Sequence, residues 1–162
     1  PETCIRDRPK RSYKDGKREW PWELYYVNGN LESKGSYKDG QQEGLWIQWF
    51  NDGTKRSERK FSNGERDSIW TSWYKNGNKK LQASYDSGKL NGPWTSWYDN
   101  GIIKEKSGSY VNNKLDKKWT FWADNGQKTE ETSYDNGKKD GPHKLWNPDN
   151  FKVIDGAFIQ GN

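Results

Sequence analysis

The sequence predicts an all-β protein: tandem 24-residue β-hairpin repeats forming an elongated, twisted, single-layer antiparallel sheet. Three observations carry that reading. A tryptophan opens each unit in phase, at Trp22, Trp46, Trp70, Trp94 and Trp119, with one extra residue before the last. A closing aromatic keeps step with it at Tyr13, Tyr37, Phe61, Tyr85, Tyr110, Tyr134 and Phe158. Between the two stands Asn-Gly or Asp-Gly, at 28–29, 52–53, 76–77, 100–101 and 125–126. A fixed period of this size marks a repeat architecture, and Asn-Gly between short aromatic runs is a strong local hairpin signal.

In chain order, residues 1–12 carry no repeat marker, and Arg6, Arg8, Lys10 and Arg11 make them a basic lead-in. The repeat domain spans 13–162, opening with Tyr13-Lys14-Asp15-Gly16, the closing half of a unit. Full units follow from Trp22, Trp46, Trp70, Trp94 and Trp119. The last unit is degenerate: His143 takes the first Trp slot, Trp146 the second, Asn150 the turn Gly and Phe158 the closing place. Degenerate ends are expected where a stack of repeats is capped. A second turn follows each closing aromatic, at Asp39-Gly40, Asn63-Gly64, Ser87-Gly88 and Asn136-Gly137. Every unit therefore supplies two strands and two turns, with no stretch between turn signals long enough for a helix.

Reading the Asn-Gly pair as a two-residue turn, with φ positive at both positions, fixes a register. It sets Trp22 opposite Gly35, Trp46 opposite Arg59, Trp70 opposite Ala83 and Trp119 opposite Thr132. A small residue there leaves room for an indole to lie across the strand, whereas Arg59 has to stack or snorkel. By alternation, Trp22, Trp46, Trp70, Trp94 and Trp119, with Tyr37, Tyr85, Tyr110 and Tyr134, form a structural row on one face. The second tryptophans, Trp49, Trp73, Trp97 and Trp122, point to the other face. There the register places Arg56, Lys80 and Lys104 opposite Trp49, Trp73 and Trp97, as cation–π partners. The extra residue between Gly101 and Tyr110 is expected as a bulge near Gly108.

Composition agrees with a thin sheet. Only 28% of the residues are apolar and 31% are charged, but 11 Trp and 9 Tyr concentrate burial in a few large side chains. The net charge of +5 is spread among acids in every unit, so no basic block marks a nucleic-acid groove. Cys4 is the only cysteine, which excludes an internal disulfide and reads as an inert thiol. No apolar run approaches membrane-spanning length. The chain begins at Pro1 rather than Met, so the lack of a signal peptide carries no weight about export; an envelope or secreted setting is favoured over a cytoplasmic one.

Trp-x-x-Trp-Tyr-x-Asn-Gly followed by Tyr-x-Asp-Gly-Lys resembles the MORN repeat, over about residues 13–161. The bacterial variant of YwqK-type antitoxin-like proteins is the nearest form. The resemblance implies tandem antiparallel hairpins and a non-enzymatic binding or scaffolding module. It also implies the family's proposed roles in membrane association, dimerisation and toxin neutralisation. The chain departs from the more Gly-rich eukaryotic motif, which argues against direct lipid binding.

Nothing in the residues points to catalysis. His143 is the only histidine and stands in an aromatic slot, and the acids recur at turns (Asp15, Asp39, Asp52, Asp140). Calcium-loop, zinc and phosphate-loop spacings are absent, so neither a cofactor nor a metal is expected. The expected activity is protein binding or scaffolding through an aromatic and basic face made by Trp49, Trp73, Trp97, Trp122, Arg56, Lys80 and Lys104. The partner is expected to be another protein, or a second copy joined through open sheet edges. Two alternatives stand beside it. Equivalent Trp residues two strands apart lie about 9–10 Å from each other, which suits a polysaccharide chain. A purely structural rod would need no ligand.

Overall fold

The computed structural model describes residues 12–149 and 151–159, so the lead-in before Ser12, with Cys4, and the turn position Asn150 lie outside the described residues. Every regular element is a strand. They are β1 (Ser12–Lys14), β2 (Lys17–Tyr25), β3 (Leu31–Lys38), β4 (Gln41–Trp49), β5 (Lys55–Ser62), β6 (Glu65–Trp73), β7 (Lys79–Asp86), β8 (Lys89–Trp97), β9 (Lys104–Val111), β10 (Lys114–Trp122), β11 (Lys128–Asp135), β12 (Lys138–Trp146) and β13 (Lys152–Phe158). They fall into two compact units. The first runs to Asn78 and takes in Tyr85–Gly88, and the second holds Lys79–Ser84 and the chain from Lys89 onward. Within the first unit β1 to β6 pair in chain order, and within the second β8 to β13 do the same, all antiparallel.

The two turn families exchange the roles expected of them. At the Asn-Gly sites only glycine has positive φ, as at Gly53 (87°) and Gly126 (85°). Phe50 N–H donates to Thr54 O at 2.8 Å and Gly53 N–H to Phe50 O at 2.9 Å, closing a three-residue loop rather than a two-residue one. The Asn or Asp is there for its side chain. Its Oδ1 accepts the backbone N–H two residues on, at 3.0 Å for Asn28–Asn30, Asp52–Thr54 and Asn100–Ile102, and 2.9 Å for Asn76–Asn78 and Asn125–Gln127. The turns with two positive φ values follow the closing aromatics, as at Asp39 (51°) with Gly40 (83°) and Asn136 (50°) with Gly137 (87°). Asp140, expected at a turn, lies inside β12.

The longer loop displaces the register by one residue beside each second aromatic. Trp46 faces Arg59 as expected, but Trp49 faces Lys55, and Arg56 is the unpaired residue of a bulge. The same shift falls between Leu24 and Tyr25, Phe121 and Trp122, and Leu145 and Trp146. The extra residue of the fourth hairpin is in its loop, where Tyr98 N–H reaches Ile103 O at 3.0 Å. Gly108 pairs with Trp94 in the β8–β9 ladder, and the unpaired residue of β9 in that ladder is Glu105 instead.

A second irregularity places the first tryptophans. On β4, Gly44-Leu45-Trp46 lies opposite the single residue Gly35, because Lys34 pairs with Ile47 and Ser36 with Glu43. β10 repeats this opposite Gly108, with Asp116 on Ser109 and Thr120 on Ser107. The first residue of such a bulge has positive φ at Gly44 (68°), Ser68 (61°) and Lys117 (59°), and the equivalent Gly92 (104°) and Gly141 (87°) have it too. Ser68 and Lys117 therefore hold a conformation that glycine adopts without a Cβ penalty. Ser68→Gly and Lys117→Gly should each raise stability by about 0.5–1 kcal/mol. Denaturant midpoints at unchanged m-value check this; a loss at both sites would overturn it.

That bulge folds each indole back over the preceding hairpin. A Cβ built on Gly35 would meet Trp46 ring carbons at 2.1 Å, and one on Gly108 would meet Trp119 at 2.3 Å. The indole covering Gly35 is thus Trp46, not the Trp22 that pairs with it. Trp46 and Trp119 are buried, and their Nε1–H groups donate to Ser36 O at 3.1 Å and Ser109 O at 3.0 Å. Edge-on ring contacts continue the row, Tyr37 to Trp46 at 5.0 Å and Tyr110 to Trp119 at 5.1 Å. Arg59, in the slot of Gly35, stacks on Trp70 at 4.8 Å, with Arg66 at 4.9 Å from the same ring. Trp70 Nε1 is buried without a hydrogen-bond partner, unlike those of Trp46 and Trp119.

Candidate interaction surface

The second tryptophans are placed by the Asx-closed loops and the bulges beside them. Trp49, Trp73, Trp97 and Trp122 are all half-buried. Lys55, Lys79, Lys104 and Lys128 each lie over the indole of the following hairpin instead of their own. In the first unit Lys55 Nζ stands 5.3 Å from the Trp73 ring. In the second, Lys79 covers Trp97 at 5.2 Å, Lys104 covers Trp122 at 5.9 Å and Lys128 covers Trp146 at 6.0 Å. Such contacts contribute about 0.5–1 kcal/mol each at exposed sites.

The expected pairs change at Arg56 and Lys104. Arg56, at its bulge, lies over Phe50 at 5.7 Å and not over Trp49. Lys80 is exposed, and Lys79 lies over Trp97 at the second-tryptophan face. Lys104 pairs with Trp97 across the ladder, as expected, but its ammonium covers Trp122. Sequence reasoning missed Lys55, Lys79, Lys128 and Trp146. Their signal was available, since Lys recurs at 55, 79, 104, 128 and 152 in the period of the repeat. In the first hairpin Leu31 takes this place, opposite Tyr25.

The lysines are themselves anchored three residues on. Lys55 reaches Glu58 at 3.0 Å, Lys128 reaches Glu131 at 2.7 Å and Lys152 reaches Asp155 at 2.7 Å. The hydrogen bond from Lys128 holds the Glu131 carboxyl below its usual range, with the charges of Lys118 and Lys128 acting the same way. Loop to loop, Tyr26 Oη donates to Trp49 O and Tyr98 Oη to Trp122 O, both at 2.8 Å. These bonds tie the first loop to the second and the fourth to the fifth.

His143 is buried, with Thr132 Oγ1 at 2.7 Å from Nδ1 and the Phe158 ring at 4.9 Å. These contacts put it in the aromatic row, in the slot that Trp46 and Trp119 fill elsewhere. Among the described residues, no group of three or more His, Cys, Asp or Glu is placed to hold a metal ion.

Antiparallel hairpins in chain order, with Trp46 and Trp119 laid on the hairpins before them, define a tandem β-hairpin repeat protein. The family model described as the MORN repeat variant matches residues 21–39, 66–87, 90–112 and 115–136, together more than half of the chain. The chain belongs to the MORN repeat variant family. Repeats of this family are in general protein- or membrane-interaction modules. No curated protein matches the chain.

Proposed function

We propose that the protein is a non-catalytic interaction module that meets a protein partner through its lysine-capped indoles. The observation that supports this most is the repeated pairing of a half-buried Trp with an ammonium from the preceding hairpin, at Trp73, Trp97, Trp122 and Trp146. An indole with a cation at its face offers apolar area and charge together, a combination suited to aromatic and acidic side chains of another protein. A sugar ring stacks on an open indole face, and here the ammonium stands over that face. Neutralising a toxin is one form such binding takes.

The test is a quadruple Trp49→Thr, Trp73→Thr, Trp97→Thr, Trp122→Thr variant, checked by circular dichroism for retained strand structure. Proteins captured by the wild type from its native source should be lost by the folded variant. Capture at undiminished level would move the contact surface elsewhere. In parallel, soluble glucans and chitin fragments are titrated against wild-type Trp fluorescence. Saturable quenching would favour a polysaccharide ligand over a protein.

A further inference from the structure

Two arginines converge on one indole in the first unit. Arg59 stands in a slot that Gly35, Ala83, Gly108 and Thr132 fill elsewhere in the period. Its guanidinium lies over the Trp70 ring at 4.8 Å, and that of Arg66 lies 4.9 Å from the same ring and 5.3 Å from the Tyr85 ring. The two cations are therefore less than about 10 Å apart, close enough to repel. Burial lowers the pKa of Arg59 from its ordinary value, and the charges of Arg66 and Arg56 act the same way. Arg66 is exposed, and Arg59, Trp70 and Tyr85 are half-buried, so the cluster is open to a partner.

Donors outnumber acceptors here. A guanidinium carries N–H groups along its rim and accepts nothing. Arg59 donates to Gln48 Oε1 at 3.1 Å, an oxygen that Ser57 Oγ also uses at 3.0 Å, and Arg66 donates to Tyr85 Oη at 3.2 Å. Arg59 Nε and Trp70 Nε1 are buried with no partner. Among the described residues neither arginine forms an ion pair. On β12, Lys139 holds the place of Arg66; it stands over Phe158 at 5.1 Å and has Glu130 at 3.7 Å. Ser57 stands where Glu130 stands, so the first unit keeps the cation and lacks the acid. Unsatisfied buried donors beside two like charges cost stability, and local rules are broken in this way chiefly at functional sites.

We propose that Arg59, Arg66 and Trp70 form a carboxylate-binding site for an acidic segment of a protein partner. A guanidinium stacked on an indole uses its face and leaves its rim for in-plane, bidentate hydrogen bonds to a carboxylate. Two such forks held by one ring suit two acidic side chains of one extended segment, whose alternate residues point the same way about 7 Å apart. A carboxylate on the Nε edge of Arg59 supplies the acceptor that this atom lacks. The segment also neutralises two charges that the fold leaves facing each other. The cluster uses none of the lysine-capped indoles, so the proposal stands or falls independently of them.

The experiment uses the full chain and a labelled octapeptide of glutamate, followed by fluorescence anisotropy, with an octapeptide of glutamine as the uncharged control. The wild type should bind the glutamate peptide and not the glutamine one. Arg59→Gln with Arg66→Gln should weaken binding at least about tenfold. Arg59→Lys with Arg66→Lys should weaken it nearly as much, because it keeps the charge and loses both forks. Lys38→Gln with Lys89→Gln removes the same charge from exposed positions outside the cluster and should bind as the wild type does. Arg66→Gln alone changes an exposed side chain, so it should hold the thermal midpoint and still lose about threefold or more, even where the double variant fails to fold. Undiminished binding by Arg66→Gln would overturn the proposal. So would full binding by the lysine variant or an equal loss in the Lys38 and Lys89 variant, either of which would reduce the cluster to general positive charge. Absence of peptide binding by the wild type would overturn it too, including the case where inorganic phosphate alone shifts the Trp70 indole N–H resonance.

Discussion

Trp119→Ala is expected to destabilise the second unit by about 3–5 kcal/mol, the usual loss for truncating a buried Trp. Trp119 is 2% exposed, lies on Gly108, meets Tyr110 edge-on and donates its indole N–H to Ser109 O. Truncation removes all of this and leaves a cavity between adjacent hairpins. The glycine cannot fill it, because it has no side chain to collapse inward. Trp122→Ala, on the opposite face and half-buried, should lose clearly less. Urea unfolding followed by circular dichroism measures both. Equal losses would mean that the two tryptophan rows carry the same share of the packing, against the burial seen here.

Gly108→Val should be the second large loss, about 1–3 kcal/mol, because it overpacks the same contact from below. The new Cβ alone would stand 2.3 Å from Trp119 ring carbons, and neither partner can yield easily. The indole is held by its hydrogen bond and by Tyr110, and the glycine is part of a paired strand. Gly35→Val under Trp46 should behave alike, at 2.1 Å. A side chain in this slot is not excluded by the repeat itself, since Ala83 and Thr132 occupy it and are fully buried. What changes there is the ring above: over Thr132 it is the smaller His143, joined to the hydroxyl at 2.7 Å. Val at Gly108 with no loss of stability would show that the indole can lift without penalty.

Among these residues the period, the strands and the pairing of Trp22 with Gly35, Trp46 with Arg59 and Trp119 with Thr132 were legible in the sequence. So was Arg59 as a stacked exception. These features follow from local chemistry: aromatic runs alternate, Gly and Asn interrupt them, and nearest-neighbour pairing needs only short turns. The site's cations were misplaced by one residue, and the reason is physical. Asn-Gly is compatible both with a two-residue turn and with a three-residue loop closed by the Asn side chain. The choice depends on hydrogen bonds beyond the dipeptide. Tyr26 Oη to Trp49 O and Tyr98 Oη to Trp122 O tie each of those loops to the one that follows.

The sequence by itself determined a repeat of β-hairpins, two strands and two turns per period, with aromatics as the packing material. Only the tertiary structure decided which hairpin each side chain serves. Trp46 covers Gly35 rather than its own strand partner, and Lys104 caps Trp122 rather than Trp97. A single hairpin exposes too little apolar surface to hold its own indole in place. The bulges at Gly44 and Lys117 therefore turn each ring onto the neighbour, and packing between repeats settles an assignment that intrahairpin register leaves open.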